Sequence, residues 1–169
     1  TLFRSDVMKT RGNQTGFSQV EILVVIALMV IVALISVPTF KSLLAKKRLA
    51  AVATQLQSDL MAMRWEAISQ RSWMSLQVEN DHQYTMYRDA NKNRINDPGE
   101  TITVRDLHLN APDVAMSLSA GDTVTFYPNG TLGTAPATLC LTGASGLTPK
   151  KIRVNITGRV SLEDAASCP

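Results

Sequence analysis

From residue 22 to residue 37 almost every side chain is hydrocarbon, with Ser36 the one polar interruption. Phe17, Val20, Pro38 and Phe40 extend this run towards the ~20 apolar residues that a bilayer-spanning helix needs. Between Arg11 and Lys41 the single ionisable side chain is Glu21. A secretory signal would carry a shorter apolar run followed by a small-residue cleavage site. Here the run is followed by bulky residues and a proline instead. A core helix apolar on every face needs protein all around it, and the remaining roughly 125 residues are too few to supply that. A membrane span is the simplest reading.

Past Pro38 the pattern turns amphipathic. Leu49, Val52, Leu56, Leu60, Met63 and Ala67 recur at intervals of three and four, which marks one face of a helix. Lys46, Lys47, Gln55, Gln57, Asp59 and Arg64 fall on the expected polar face. Unbroken from Phe17 to Arg71, such a helix would run about 80 Å. From Trp73 the period changes to two. Residues 75–79 and 83–87 alternate around Asn80-Asp81-His82 and predict a hairpin. Further strands are expected at 101–104, 123–127, 138–141 and 151–156. Pro128-Asn129-Gly130 and the segment 142–146 supply turn chemistry. Trp65 and Trp73 bracket the end of the helix and read as core or helix–sheet packing. The fold class is therefore α+β: a long N-terminal helix packed on a small antiparallel β-rich head.

Charge changes this picture little. The net charge is +3, but Arg4, Lys9 and Arg11 against Asp6 account for most of it, leaving 14 basic and 13 acidic residues in 17–169. That is less than a strongly nucleic-acid-binding domain carries. Three basic residues precede the apolar run, and Lys41, Lys46, Lys47 and Arg48 follow it, so charge alone does not set topology. Two cysteines, Cys140 and Cys168, allow one pairing. Free buried thiols are the alternative. A bridge is favoured, because it would pin a chain end that otherwise frays, and it implies an oxidising compartment.

Glu21 is the anomaly, since a carboxylate at the edge of hydrocarbon costs a few kcal/mol unless it is paired. Cleavage after Gly16 would create an amine on Phe17, four residues away, able to neutralise it in the same or a neighbouring copy. Gly16-Phe17-Ser18-Gln19-Val20-Glu21, followed by the apolar run and Pro38, resembles the cleavage motif of type IV prepilins. The resemblance implies cutting between Gly16 and Phe17 by a prepilin peptidase and N-methylation of Phe17. It also implies a role for Glu21 in docking the subunit into a filament and a helix kink at Pro38. Ser18-Gln19-Val20 stands where Thr-Leu-Ile is commoner. Met8-Lys9-Thr10-Arg11 resembles the start of a short basic leader, so residues 1–7 are expected to lie upstream of the true start. The expected organisation is a leader over 1–16, a membrane or filament-core helix half over 17–45, and a periplasmic head over 46–169.

The head resembles, more weakly, the FimT, FimU and GspH group of minor pilins and pseudopilins. That likeness rests on strand order and on Tyr87-Arg88-Asp89-Ala90-Asn91-Lys92-Asn93, Asp97-Pro98-Gly99-Glu100 and Gly158-Arg159-Val160. It implies a subunit of the bacterial inner membrane that passes into a pilus or pseudopilus, with other pilins as partners. Its role would be to prime or join pilus assembly near the tip. The alternatives are a pseudopilin of type II secretion and a DNA-capturing pilin.

Two further segments carry site-like spacing beside a plainer reading. Asp89, Asn91, Asn93, Ile95, Asp97 and Glu100 occupy the ligand offsets of a twelve-residue calcium loop. Against calcium, Arg94 stands at the glycine position and Lys92 adds like charge, so an Asx-rich connection is favoured. If 151–160 is extended, Lys151, Arg153 and Arg159 share one face over Ile152, Val154 and Ile156, with Lys150 nearby. This basic stripe could hold DNA phosphates. A second arginine after Arg159 is missing, however, and Glu163 and Asp164 follow, so a solvated face or a pilin contact is favoured. His82 and His108 are isolated in sequence. No nucleophile motif or phosphate loop is found, and neither an enzyme nor a cofactor other than calcium is expected.

Overall fold

The computed structural model describes residues 16–169, apart from Ala120, Thr134, Ser145 and Pro169 and the side chains of 35–39. The chain divides into two compact units, residues 1–40 and 41–169. Helix α1 (Gln19–Gln70) contributes its first part to one and the remainder to the other. Its C-terminus is closed by Arg71 in the left-handed region (φ 50°), with the Ser72 amide donating to the Ala67 carbonyl. That is a Schellman-type end, built on arginine where glycine is usual.

Among its described residues the larger unit holds eight strands in two antiparallel sheets. They are β1 (Trp73–Asn80), β2 (Gln83–Asp89), β3 (Thr101–Asp106), β4 (Ala115–Leu118), β5 (Thr123–Phe126), β6 (Ala137–Thr142), β7 (Lys150–Val154) and β8 (Val160–Asp164). The first sheet has the order β3-β2-β1-β5 and the second β4-β6-β7-β8. Alternation in 75–79 and 83–87 is realised as the β1–β2 hairpin, with Asn80 opposite Gln83. Strands β4 and β8 were not anticipated. β4 is only four residues long, and Ser161, Glu163 and Asp164 make β8 look like a loop. The expected strand over 151–156 is corrected: β7 stops at Val154, and the Gly158 amide bonds the Asn155 carbonyl in a turn that feeds β8.

One helix stripe covers both sheets. Leu49, Ala53, Leu56, Leu60, Met63 and Ala67 are buried in a single cluster with Met74, Leu76, Tyr84, Val124 and Phe126 of the first sheet and Leu139, Leu141, Ile152 and Val154 of the second. Fully burying each large aliphatic side chain is worth about 1.5–3 kcal/mol. Backbone bonds also stitch the sheets together: the Met116 amide donates to the Asp81 carbonyl, and the Leu132 amide to the Ile156 carbonyl.

Asp59 corrects the expected polar face, because it is only 8% exposed and turned towards the first sheet. The Tyr84 hydroxyl in β2 donates to its Oδ2 at 2.8 Å, Arg105 Nε in β3 approaches the same oxygen at 3.3 Å, and Gln55 donates to Oδ1 at 2.8 Å. A buried carboxylate persists where every oxygen has a partner. Burial, then the neighbouring Asp59 carboxylate, pushes the Tyr84 phenol far above its ordinary 10.0. Burial likewise raises that of Tyr87. The structure joins Cys140, buried in β6, to Cys168, with Cα atoms 5.8 Å apart. The last residues are thereby tied to the second sheet.

Asp59→Ala is expected to destabilise the head by about 2–3 kcal/mol, since it strands the Tyr84 hydroxyl and an arginine. Tyr84→Phe should cost about 1 kcal/mol, and a denaturant double-mutant cycle should show the two changes to be non-additive. The raised phenols favour the protonated form in the fold, so their contribution is complete below the unfolded value of 10.0 and declines as pH rises above it. Absorbance titration of the folded head should therefore show Tyr84 ionising only together with alkaline unfolding, and Tyr87 ionising later than a free phenol. Reducing the Cys140–Cys168 bridge should lower stability by about 3 kcal/mol on the loop-entropy estimate, read as a lower denaturant midpoint in dithiothreitol.

Candidate functional site

The N-terminal unit presents the positions singled out by the leader motif. Phe17 is 80% exposed just before α1, and Glu21 lies in its first turn, where the helix dipole favours a carboxylate. The two are four apart in sequence and line one shallow groove of about 280 Å³ with Ile22, Val25, Ile26 and Met29. The large apolar side chains from Val20 to Leu34 are all exposed, from 44% at Val25 to 71% at Leu34. A continuous apolar surface of this kind marks an interaction face. Among the described residues no helix is long and apolar enough to cross a membrane. The expected leader start at Met8 and the side chain of Pro38 lie outside the described residues.

The Asx-rich loop between β2 and β3 is held by its own side chains. Asp89 is buried, and its two oxygens accept the Asn93 and Arg94 amides at 3.0 and 2.9 Å. Asn91 Oδ1 accepts the Asn93 amide and Asn93 Oδ1 the Ile95 amide. Asp97 Oδ2 accepts both side-chain amides, from Asn91 at 2.6 Å and Asn93 at 2.8 Å. Glu100 closes the loop by accepting the Ala90 and Asp97 amides. Ile95 is exposed. Lys92 and Arg94 both take positive φ, at 65° and 62°. Arg94 uses that geometry to reach the Tyr127 hydroxyl and the Gly133 carbonyl, lying over the Trp73 ring. The oxygens of the calcium pattern thus serve the loop backbone and one another. Among the described residues no group of three or more His, Cys, Asp or Glu side chains could hold a metal ion.

The basic stripe is divided by the fold. Because β7 ends at Val154, Arg159 lies across a turn from Arg153 and not on the same strand, and Ile156 is 58% exposed instead of forming an apolar underside. Acidic residues of β8 face the lysines: Lys150 is ion-paired to Asp164, and Lys151 stands opposite Glu163. Lys150, Lys151, Arg153 and Arg159 therefore do not form the single extended face on which the DNA expectation rested.

Further features emerge only in three dimensions. Arg64 donates from Nε to the Gly130 carbonyl at 3.0 Å and from Nη2 to the Thr157 carbonyl at 3.3 Å, tying α1 to the β7–β8 turn. Gly158 makes room for this. A Cβ there would lie 1.9 Å from the Gly130 carbonyl oxygen, and its φ of 76° suits glycine. Trp65, expected in packing, is instead 70% exposed and forms a groove with Met61, Ile68 and Arg159. His82 and His108 meet edge to face with ring centres 5.1 Å apart, and His82 Nδ1 engages the Val114 carbonyl. Their separation in sequence gave no sign of this.

Residues 52–158 match the family described as type II transport protein GspH. No curated protein sequence matches the chain. Among solved structures, the type IV minor pilin FimU of Pseudomonas aeruginosa is similar with a TM-score of 0.59 and 23% identity, over 73% of this chain and 96% of that one. The minor pseudopilin EpsH from the type II secretion system of Vibrio cholerae is similar with a TM-score of 0.55 and 13% identity, over 71% and 99% of the two chains. At these identities the likeness shows a shared fold, the one expected from the helix and strand pattern.

Proposed function

Because the chain belongs to the family of type II transport protein GspH, we propose that it is a non-enzymatic minor pilin, a structural subunit that primes or joins a type IV pilus near its tip. The observation that carries this reading is the uncovered apolar helix from Val20 to Leu34, with Glu21 as its one carboxylate. The head has its own core, made of residues from Leu49 onwards. The apolar helix therefore needs cover from outside the chain. Lipid supplies it while the subunit waits in the inner membrane with its head in the periplasm, and neighbouring pilins supply it in the filament.

The proposed organisation is a leader over 1–16, an anchor half over 17–45 and a head over 46–169. A prepilin peptidase cuts after Gly16, and Phe17 becomes the methylated first residue. Its amine pairs with Glu21 of the same or an adjacent copy, which offsets the cost of placing a carboxylate in hydrocarbon and sets axial register. Pro38 bends the helix between its two halves. The exposed Trp65, Met61 and Ile68 add a lateral contact on the head.

A second reading is a pseudopilin of type II secretion. The description of the matching family favours it, and the pilin fold serves both. In either assembly the chain acts by packing and not by chemistry.

Mass spectrometry of the native protein should find N-methylated Phe17 as the first residue; any other start would remove the amine on which the pairing depends. Glu21→Ala should leave the protein in the inner-membrane fraction while lowering its recovery in sheared filaments about tenfold or more, equivalent to roughly 1.4 kcal/mol or more of lost pairing. Normal recovery of this variant would exclude the role given to Glu21.

A further inference from the structure

The start of the larger unit carries a groove that the filament reading does not use. It has a volume of about 450 Å³ and is lined by Lys46, Lys47 and Leu49 of α1, Leu147 of the β6–β7 connection, Lys150 of β7 and Asp164 of β8. The fold brings Lys150 beside lysines about a hundred residues earlier in the chain. Lys150 is ion-paired to Asp164, whereas among the described residues neither Lys46 nor Lys47 has an acidic partner. The groove therefore holds three ammonium groups against one carboxylate. Its floor is apolar: Leu49 is buried, and Leu147 packs near it beside Gly143.

Helical spacing aligns the groove with an exposed apolar edge. Leu43, Lys46, Lys47 and Ala50 follow one another at intervals of three, one and three, which places them on one face of α1. Leu43 is 47% exposed. Lys46 and Lys47 follow Phe40 within two helical turns, beyond Lys41 and the apolar run of the sequence. Lysine stems can lie along apolar surface while their ammonium groups reach outward to anions. Clustered lysines immediately beyond an apolar anchor are attracted to anionic lipid.

We propose that this groove binds the phosphate of an anionic phospholipid headgroup, so that the base of the head docks on the bilayer surface before the subunit is extracted. The ammonium groups of Lys46 and Lys47 engage the phosphate, Lys150 reinforces them from β7, and Leu49 and Leu147 meet the apolar part of the lipid. The inference rests on the proposed membrane-anchored state, but it concerns a separate surface. It also gives a reason for the unpaired lysines: they hold the head at the membrane and are released when lipid is left behind.

The head alone, residues 41–169, can be tested because its core and its disulfide lie wholly within it. It should co-sediment with phosphatidylcholine vesicles containing about one third phosphatidylglycerol, and not with phosphatidylcholine alone. Lys46→Gln/Lys47→Gln alters two exposed side chains without acidic partners and should weaken that binding about 25-fold, or about fivefold per lysine. High salt should abolish it. Equal binding to both vesicle types, or unchanged binding by the variant, would overturn the proposal. So would tighter, lysine-dependent binding to a DNA duplex than to the anionic vesicles. The two readings fail separately: head binding without membrane fractionation of the full chain removes the anchor, whereas an integral full chain whose head ignores anionic lipid removes the groove.

Discussion

A single helical stripe has to serve two sheets. Leu49, Ala53, Leu56, Leu60, Met63 and Ala67 offer one apolar face, and the inner side chains of both four-stranded sheets converge on it. Among the described residues α1 is the one helix, and both sheets pack their buried side chains against it. Two polar side chains then determine how the helix sits. Asp59 reaches the first sheet through Tyr84 and Arg105, and Arg64 reaches the Gly130 and Thr157 carbonyls. Hydrophobic burial is non-directional. These charged contacts supply the direction, because they form at one rotation and one height of the helix.

The division of the chain follows from that arrangement. The head buries its own helix stripe, while the large apolar side chains between Phe17 and Leu34 are exposed. The same polypeptide thus contains a domain with a closed core and a helix with an uncovered apolar surface. In the proposed reading, lipid and then neighbouring subunits cover that apolar surface. Cleavage after Gly16 would, in the same reading, set an amine four residues from the carboxylate in the first turn and offset its cost in hydrocarbon.

Much of this could be read from the residues. The helix stripe, six of the eight strands and the Pro128-Asn129-Gly130 turn follow from periodicity and turn chemistry. The Schellman-type end at Arg71 falls where the helical pattern ends. Features that depend on distant partners were hidden. Asp59 looks like a surface residue until Tyr84 and Arg105 are brought to it, and Trp65 looks like core until both sheets are seen to be covered without it. β8 was masked by its charges, Glu163 and Asp164, which are tolerated because they lie at the exposed end of an edge strand facing Lys151 and Lys150. The break at Val154 was equally hidden, since the residues Asn155 to Arg159 alternate well enough to pass for strand. The calcium pattern was legible as spacing, but spacing does not reveal that the same oxygens are taken up by the loop's own amides.

The close approach at Gly158 has a mechanical consequence. With no side chain in the way, the guanidinium of Arg64 grips the β7–β8 turn, while the disulfide fastens the chain end beyond β8 to β6. The final hairpin is thus held at both ends, its turn by the helix and its tail by β6, so it has no loose chain end from which to fray. A hydrogen atom in place of a methyl group thereby becomes part of how the last hairpin keeps its place.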